Sequence, residues 1–212
     1  MTKYGWRNSS INTKKLIVKG KMPMRYTIPK TVATATAAIK ADWNCHTATT
    51  ALTNTTILMQ PPYPMILSVQ AASASALGTA GHYDKIEFKG YDAKGKSIRE
   101  LVAVKATAAG LCYSSNAFAR ITSIQPKNQQ TTGAVLKAAD VNIGYVASTI
   151  GLPYEIAGTS DILSYAYDGA FATTNFGSGG LKVSKAYDTL FIPTTPTAAK
   201  VISILYLSKV QQ

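Results

Sequence analysis

Apolar and polar side chains alternate along much of this chain, and the alternation is most regular between residues 83 and 105. Ile86 and Phe88 alternate with charged residues, and the same spacing resumes after an Asp-Ala-Lys-Gly segment. Period-two spacing on both sides of a turn that contains Asp and Gly predicts an antiparallel hairpin. We expect Gly95 to adopt the positive φ of a tight turn, and Asp92 to bind the backbone two residues on.

Further short runs with alternating or continuously apolar side chains predict a series of other strands. The runs cover residues 31–39, 52–59, 65–69, 117–124, 141–146, 150–156, 162–167, 181–183, 189–192 and 200–207. The first of these also fits a weak helix, but its β-branched content favours a strand. Many short strands separated by turn residues predict an all-β fold, an antiparallel β-sandwich or barrel-like domain, rather than a parallel α/β sheet.

Positive charge is concentrated at the N-terminus. The first 30 residues contain no Asp or Glu, and they hold eight of the 22 basic side chains: Lys3, Arg7, Lys14, Lys15, Lys19, Lys21, Arg25 and Lys30. The remaining 14 basic and 10 acidic residues leave only +4 of the formal net charge of +12 on the rest of the chain. We therefore predict a basic extended arm over residues 1–25 and a single β-domain over residues 26–212. We also predict that these eight residues contact a polyanion or an acidic protein surface.

Apolar side chains are too few in the predicted arm to offset the cost of ordering it, which is about 1–2 kcal/mol per residue. We therefore expect the arm to be disordered alone or ordered only against a neighbour. Met22 and Met24 are alternative start positions, which leaves the true start open.

Few residues in this sequence are of the types that bind metals or act as catalytic nucleophiles. The chain has two cysteines, Cys45 and Cys112, and two histidines, whereas a zinc site uses about four ligands at characteristic spacings. Cys45 and His46 are adjacent, so in a strand they would project to opposite faces. We predict no catalytic residue, no cofactor and no metal, with both thiols reduced unless the chain reaches an oxidising compartment. The basic N-terminus is followed by no apolar signal segment, and no apolar run approaches the roughly 20 residues of a membrane helix.

Six motifs, in their order and spacing along the chain, resemble the sequence pattern of a known family. They are the G-x-D-A-x-G turn within residues 88–104, Ala117-Phe118 with residues 121–124, Val141 to Gly144, Gly151-Leu152-Pro153-Tyr154, Asp188-Thr189 with Pro193, and Ile204-Leu205-Tyr206. Together, over about residues 61–208, they resemble the head decoration, cement or minor capsid proteins of tailed bacteriophages. The family has no counterpart of the basic arm, and Lys94, Lys96 and Arg99 make this hairpin unusually basic.

The resemblance implies a sandwich-like domain without catalysis, located on the virion head after synthesis in the host cytoplasm. It implies binding to the major capsid protein and to copies of the chain itself, as in a trimer. The arm would then dock on a neighbouring subunit.

Two other functions remain open from the residues. One is a different virion component, such as a tail-tube or connector subunit. The other is a nucleic-acid-binding β-domain, for which eight neutralised phosphates predict a log–log salt slope of roughly −7.

Tyrosines are frequent in the second half of the chain, at positions 145, 154, 165, 167, 187 and 206. They fit core packing with satisfied hydroxyls, and they also fit subunit interfaces, where Tyr is favoured.

Overall fold

The computed structural model describes residues 20–44, 52–53, 56–71, 85–104, 110–127, 140–171, 181–193 and 196–209. Over these residues the chain is all-β: every strand pairing is antiparallel, there is no α-helix, and a single 3-10 turn occupies Thr159–Asp161. The predicted fold class is confirmed.

The strands are short, as the frequent turn residues predict. They are β1 (Lys21–Ile28), β2 (Ala35–Asn44), β3 (Leu52–Thr53), β4 (Met65–Ala71), β5 (Lys85–Tyr91), β6 (Ser97–Ala103), β7 (Cys112–Phe118), β8 (Arg120–Lys127), β9 (Asp140–Val146), β10 (Thr149–Gly151), β11 (Ile162–Tyr167), β12 (Ala170–Phe171), β13 (Lys182–Ser184), β14 (Thr189–Phe191) and β15 (Ile202–Lys209).

Four sheets are formed by these strands. Sheet I has the order β1-β15-β11-β12, sheet II the order β2-β9-β4-β7, sheet III the order β3-β8-β5-β6, and sheet IV the order β10-β14-β13. Sheet III contains the hairpin predicted from the alternation around residues 83–105. Neighbours in a sheet are often far apart in sequence, so the chain crosses repeatedly from one sheet to another.

One hydrophobic core joins all four sheets. Phe88 of sheet III and Phe118 of sheet II are both fully buried, and their ring centroids lie 6.1 Å apart in a tilted arrangement. Ile204 of sheet I and Leu190 of sheet IV belong to the same buried cluster. The inner faces of the sheets therefore pack on each other in a sandwich-like manner, which leaves the opposite faces for solvent or partners.

The hairpin turn has the predicted chemistry. The Asp92 carboxylate Oδ1 accepts hydrogen bonds from the backbone N–H groups of Lys94 and Lys96, both at 2.9 Å. Gly95 has φ of +77° and donates its N–H to the Asp92 carbonyl oxygen at 3.1 Å. The side chain of Asp92 thus fixes the turn that sets the register of β5 against β6.

The boundary predicted between the arm and the domain is wrong, because the ordered sheet already begins at Lys21. Residues 21–25 form the first part of β1 and pair with Lys209 back to Leu205 of β15. Met24 and Tyr26 pack against the core, and Ile28 is buried. In the sequence this apolar alternation is interrupted by Arg25 and Thr27 and adjoins the basic segment, so it is not apparent.

Several predicted strands have different limits in the structure, and the run 31–39, for example, is shifted to β2 (Ala35–Asn44). The run 117–124 is interrupted at Ala119, because the chain leaves sheet II after Phe118 and enters sheet III. The strand predicted at 150–156 ends at Gly151, two positions before Pro153, which has no N–H to donate. Within 52–59, the described strand is limited to residues 52–53.

Candidate interaction surface

The basic residues predicted to make contacts do not form one cluster where the structure describes them. Lys3, Arg7, Lys14, Lys15 and Lys19 lie outside the described residues. Lys21 forms an ion pair with Asp161, whose side chain is buried, so Lys21 is occupied within the domain. The Arg25 Nε donates to the Ser203 hydroxyl at 3.2 Å on the outer face of sheet I, and Lys30 is exposed after β1.

Two shallow grooves lie on the described surface. The first, of about 460 Å³, lies on sheet I beside Arg25 and is lined mainly by small and aliphatic side chains. The second, of about 400 Å³, lies beside the exposed rings of Tyr113 and Tyr187. The described lining residues of both grooves include no carboxylate, imidazole or thiol, the groups on which acid–base and nucleophilic catalysis most often depend.

A cluster of charged side chains lies on the outer face of sheet III. Strand alternation puts the even-numbered Ile86 and Phe88 of β5 in the core and the intervening charged side chains on the other face. We call this surface the basic face and define it by five charged residues: Lys85, Glu87, Lys89, Arg99 and Lys127. Lys89 lies directly opposite Arg99 of β6, and Lys85 lies directly opposite Lys127 of β8.

Glu87 lies between these cations and is their carboxylate neighbour on the basic face. Its side chain is fully covered, and it forms an ion pair with the Nε of Arg99. The Nζ atoms of Lys89 and Lys127 lie 3.4 Å and 3.9 Å from its Oε1. Within the described residues this Oε1 accepts no hydrogen bond. Burial by itself raises the pKa of Glu87, but the contacts with Arg99 and Lys89 outweigh it, so the pKa lies below its usual value of 4.5.

Glu87→Gln is expected to reduce the dependence of the free energy of unfolding on pH at acidic pH. A carboxyl whose folded pKa lies below its unfolded pKa stabilises the protein above about pH 4.5, and this stabilisation is lost as the pH falls. We therefore expect the variant to be about 1 kcal/mol less stable at neutral pH, since the cations it leaves behind remain partly hydrated. In urea unfolding measurements, the difference in stability from the parent protein should shrink as the pH falls below about 4.5.

Glu155→Gln is the matched control for that measurement. Glu155 pairs with Lys209 at 2.8 Å, but both side chains are largely exposed. Its removal should change stability little at any pH. An equal loss in the two variants, or an unchanged pH profile for Glu87→Gln, would contradict a special role for the covered carboxylate.

Most other described carboxylates are also occupied within the domain. Glu100 accepts hydrogen bonds from the backbone N–H groups of Ser115 and Asn116, at 2.5 Å and 3.0 Å, and so links β6 to β7. Two other carboxylates form ion pairs: Asp188 with Lys94 at 2.5 Å, and Asp168 with Lys200 at 2.6 Å. The carboxylates therefore neutralise cations inside the fold, and the surplus positive charge stays on the surface.

Asp168 and Asp188 lie in turns. Both have positive φ, +53° and +47°, a conformation that Asp tolerates better than most residues. The carboxylate of Asp188 also accepts a hydrogen bond from the backbone N–H of Ile156 at 3.1 Å. These acids therefore organise the backbone of their turns.

The tyrosines divide between core and surface. Tyr145, Tyr165 and Tyr206 are buried, and burial raises the pKa of Tyr165 to about 12. The hydroxyl of Tyr165 finds no hydrogen-bond partner among the described residues, contrary to the expectation of satisfied hydroxyls. Tyr154 and Tyr187 are 42% and 44% exposed and so remain available to a partner.

Metal and membrane features are absent from the described part of the chain. There, no three His, Cys, Asp or Glu residues come together in a way that could hold a metal ion. Cys112 is half-buried in β7, whereas Cys45 lies outside the described residues. The same described residues include no helix long and apolar enough to cross a membrane.

Comparison with known proteins gives no family for this chain. No protein-family model, no curated protein and no solved structure matches it.

The basic face was only partly visible in the sequence. Lys85, Glu87 and Lys89 alternate within one predicted strand, so their shared face follows from the spacing. Arg99 is one of the residues that make the hairpin unusually basic. Its position opposite Lys89 follows from the hairpin register, which the turn sets. The pairing of β8 with β5 joins residues far apart in the chain, so no local pattern placed Lys127 there.

Proposed function

We propose that this chain is a virion structural protein that decorates or cements the outside of an icosahedral phage head by binding the major capsid protein. One observation carries the proposal. The described carboxylates are mostly paired with groups of the same domain, whereas surplus cations remain on an outer sheet face. Such a surface is suited to binding an anionic partner.

The resemblance of six motifs to phage head proteins supports the same function, and these motifs have structural roles in the fold. The G-x-D-A-x-G motif forms the turn of the β5–β6 hairpin. Gly151 of the Gly-Leu-Pro-Tyr motif lies where a Cβ would come within 2.7 Å of the Ala117 side chain and 2.9 Å of Pro64. Leu152 is buried beside it, and Tyr154 of the same motif is exposed.

The segment before β1 would act as a second attachment. We propose that it docks on a neighbouring shell subunit, which raises the effective concentration of the body at its own site. The chain would also contact its own copies, since head proteins of this kind act in many symmetric copies. Binding to nucleic acid is the alternative that the basic segment favours.

Removal of residues 1–19 is expected to weaken attachment to heads about tenfold while leaving the domain folded. The cut must not extend to residue 25, because residues 21–25 pair with β15. We expect circular dichroism and thermal unfolding to be unchanged without residues 1–19, whereas loss of residues 1–25 should destabilise sheet I. Binding is measured by sedimentation of the protein with heads assembled from the capsid protein of the phage that encodes it.

A charge-neutral arm is the control for that truncation. Glutamine at positions 3, 7, 14, 15 and 19 keeps the length of the arm and removes its charge, so it separates electrostatic docking from simple tethering. Unchanged head occupancy after truncation would contradict the role of the arm. Failure of the full chain to bind heads would overturn the proposed function, and salt-dependent binding to duplex DNA that is lost with residues 1–19 would favour the nucleic-acid alternative.

A further inference from the structure

Two pairs of like charges lie directly opposite each other on the basic face. Lys89 faces Arg99 across β5 and β6, and Lys85 faces Lys127 across β5 and β8. Like charges that are directly opposite on neighbouring strands destabilise a sheet. Glu87 offsets only one of the four positive charges, so the face keeps a surplus of +3 that the fold itself does not need.

Three of the four cations on this face are exposed to a partner, and Lys85 is half-buried at its edge. The side chains of Lys89, Arg99 and Lys127 are 48%, 65% and 38% exposed. Arg99 uses its Nε to bind Glu87, which leaves the other guanidinium N–H groups free of any described carboxylate. The covered carboxylate thus holds three cations together. Lys127 also donates to the Gln125 Oε1 at 2.9 Å, and the other outward N–H groups of the three cations remain available.

The centre of the basic face differs from its ends. Leu101, which is 45% exposed, lies directly opposite Glu87 between the two pairs of cations. A continuous phosphate backbone across this face would pass over a carboxylate and an exposed aliphatic side chain, and both are poor neighbours for phosphate. A polypeptide with acidic residues at its ends and an apolar residue between them complements all three zones.

The spacing of the cations sets the spacing of the acids. Lys85 and Lys89 are four residues apart on β5, so their Cα atoms are separated by about 13 Å. In an extended segment, acidic residues at positions i and i+4 have the same separation, and residue i+2 projects to the same side. We propose that the basic face binds an extended segment of a partner protein with the pattern acidic-x-apolar-x-acidic.

The inference rests on the proposed function in one respect, because the shell protein is the partner that would present such a segment. The recognition itself can be measured without heads. The probe is a fluorescein-labelled peptide, Ser-Gly-Glu-Ser-Leu-Ser-Glu-Gly-Ser, and binding is followed by fluorescence anisotropy at low ionic strength. A second peptide carries Ser in place of Leu, a third places the two Glu residues side by side, and an oligothymidylate provides the phosphate chain.

The test variant is Lys85→Gln with Lys89→Gln, which removes one cation from each pair and keeps the Arg99–Glu87 ion pair. Lys182→Gln with Lys185→Gln is the control, since it makes the same charge change in exposed positions near sheet IV. We expect the test variant to bind the first peptide about tenfold more weakly and the control to bind within about twofold of the parent. The second and third peptides should bind the parent protein more weakly than the first.

The remaining outcomes either overturn the inference or separate it from the proposed function. No binding of the first peptide by the parent protein, or equal losses in the two variants, would overturn it. Tighter binding of oligothymidylate that depends on Lys85 and Lys89 would make the face a nucleic-acid surface instead. If the test variant loses peptide binding but still binds heads fully, head attachment uses another surface and the proposed function stands. If the parent binds the peptide but not heads, the proposed function fails and the recognition remains.

Discussion

Gly144→Ala is expected to destabilise the protein by about 3 kcal/mol or more, or to prevent its folding. Gly144 lies in β9 beside Ser68 of β4, and on its other side β2 departs from regular pairing. Between Ala35 and Lys40, β2 advances five residues while β9 advances two, so the extra residues bulge over the Cα of Gly144. A Cβ at this position would lie 1.9 Å from the Ala35 carbonyl oxygen.

Backbone atoms cannot move aside as a flexible side chain can, so the clash must displace β2 from sheet II. Gly158→Ala is the matched control, because a Cβ there meets nothing within 4 Å and its φ of 171° is extended backbone. Urea unfolding followed by circular dichroism should show a large loss for the first variant and little change for the second. A Gly144→Ala protein as stable as the parent would show that the bulge does not pack as described.

Phe88→Ala is expected to lower the free energy of unfolding by about 3–5 kcal/mol, the usual cost of removing a buried aromatic ring. Phe88 has no exposed surface, and its ring contacts the Phe118 ring between sheets III and II. The substitution would leave a cavity at the place where the two sheets meet, so loss of packing adds to loss of apolar burial.

Tyr91→Ala is a control from the same strand. Tyr91 is 41% exposed and projects to the outer face of sheet III, so its loss should cost much less than that of Phe88. Thermal unfolding of both variants measures the difference. Equal losses would mean that the two faces of β5 are buried alike, which would also remove the basic face as an accessible surface.

Local patterns were sufficient where neighbours in the sheet are neighbours in sequence. The β5–β6 hairpin follows from alternation and from turn residues whose preferences act over a few positions. Asp92 and Gly95 perform the roles expected of them because turn geometry depends on the local backbone. The strands at 65–71, 140–146 and 202–209 were also found, but for a different reason: their apolar content fits a buried sheet even though their partners are remote.

The pairing of strands that are far apart in sequence could not be predicted from any local sequence pattern. The pattern 117–124 looks like one strand, but the chain changes sheets at Ala119, and only the positions of Phe118 and Ile121 in two sheets explain the break. Residues 21–25 look like part of a basic arm until β15 is placed beside them. The backbone hydrogen bonds of these segments are made with strands that are remote in sequence. Local composition therefore does not indicate which strands pair.

The sequence by itself determined the all-β class, the hairpin with its turn and the accumulation of positive charge before residue 31, because each depends on spacing or composition along the chain. Only the tertiary structure decided which cations act together. Lys127 reaches Glu87 through the pairing of β8 with β5, while the charge of Lys21 is paired with Asp161. Charge interactions depend on distance in space, and in an antiparallel fold of many short strands that distance is set by pairings between remote residues.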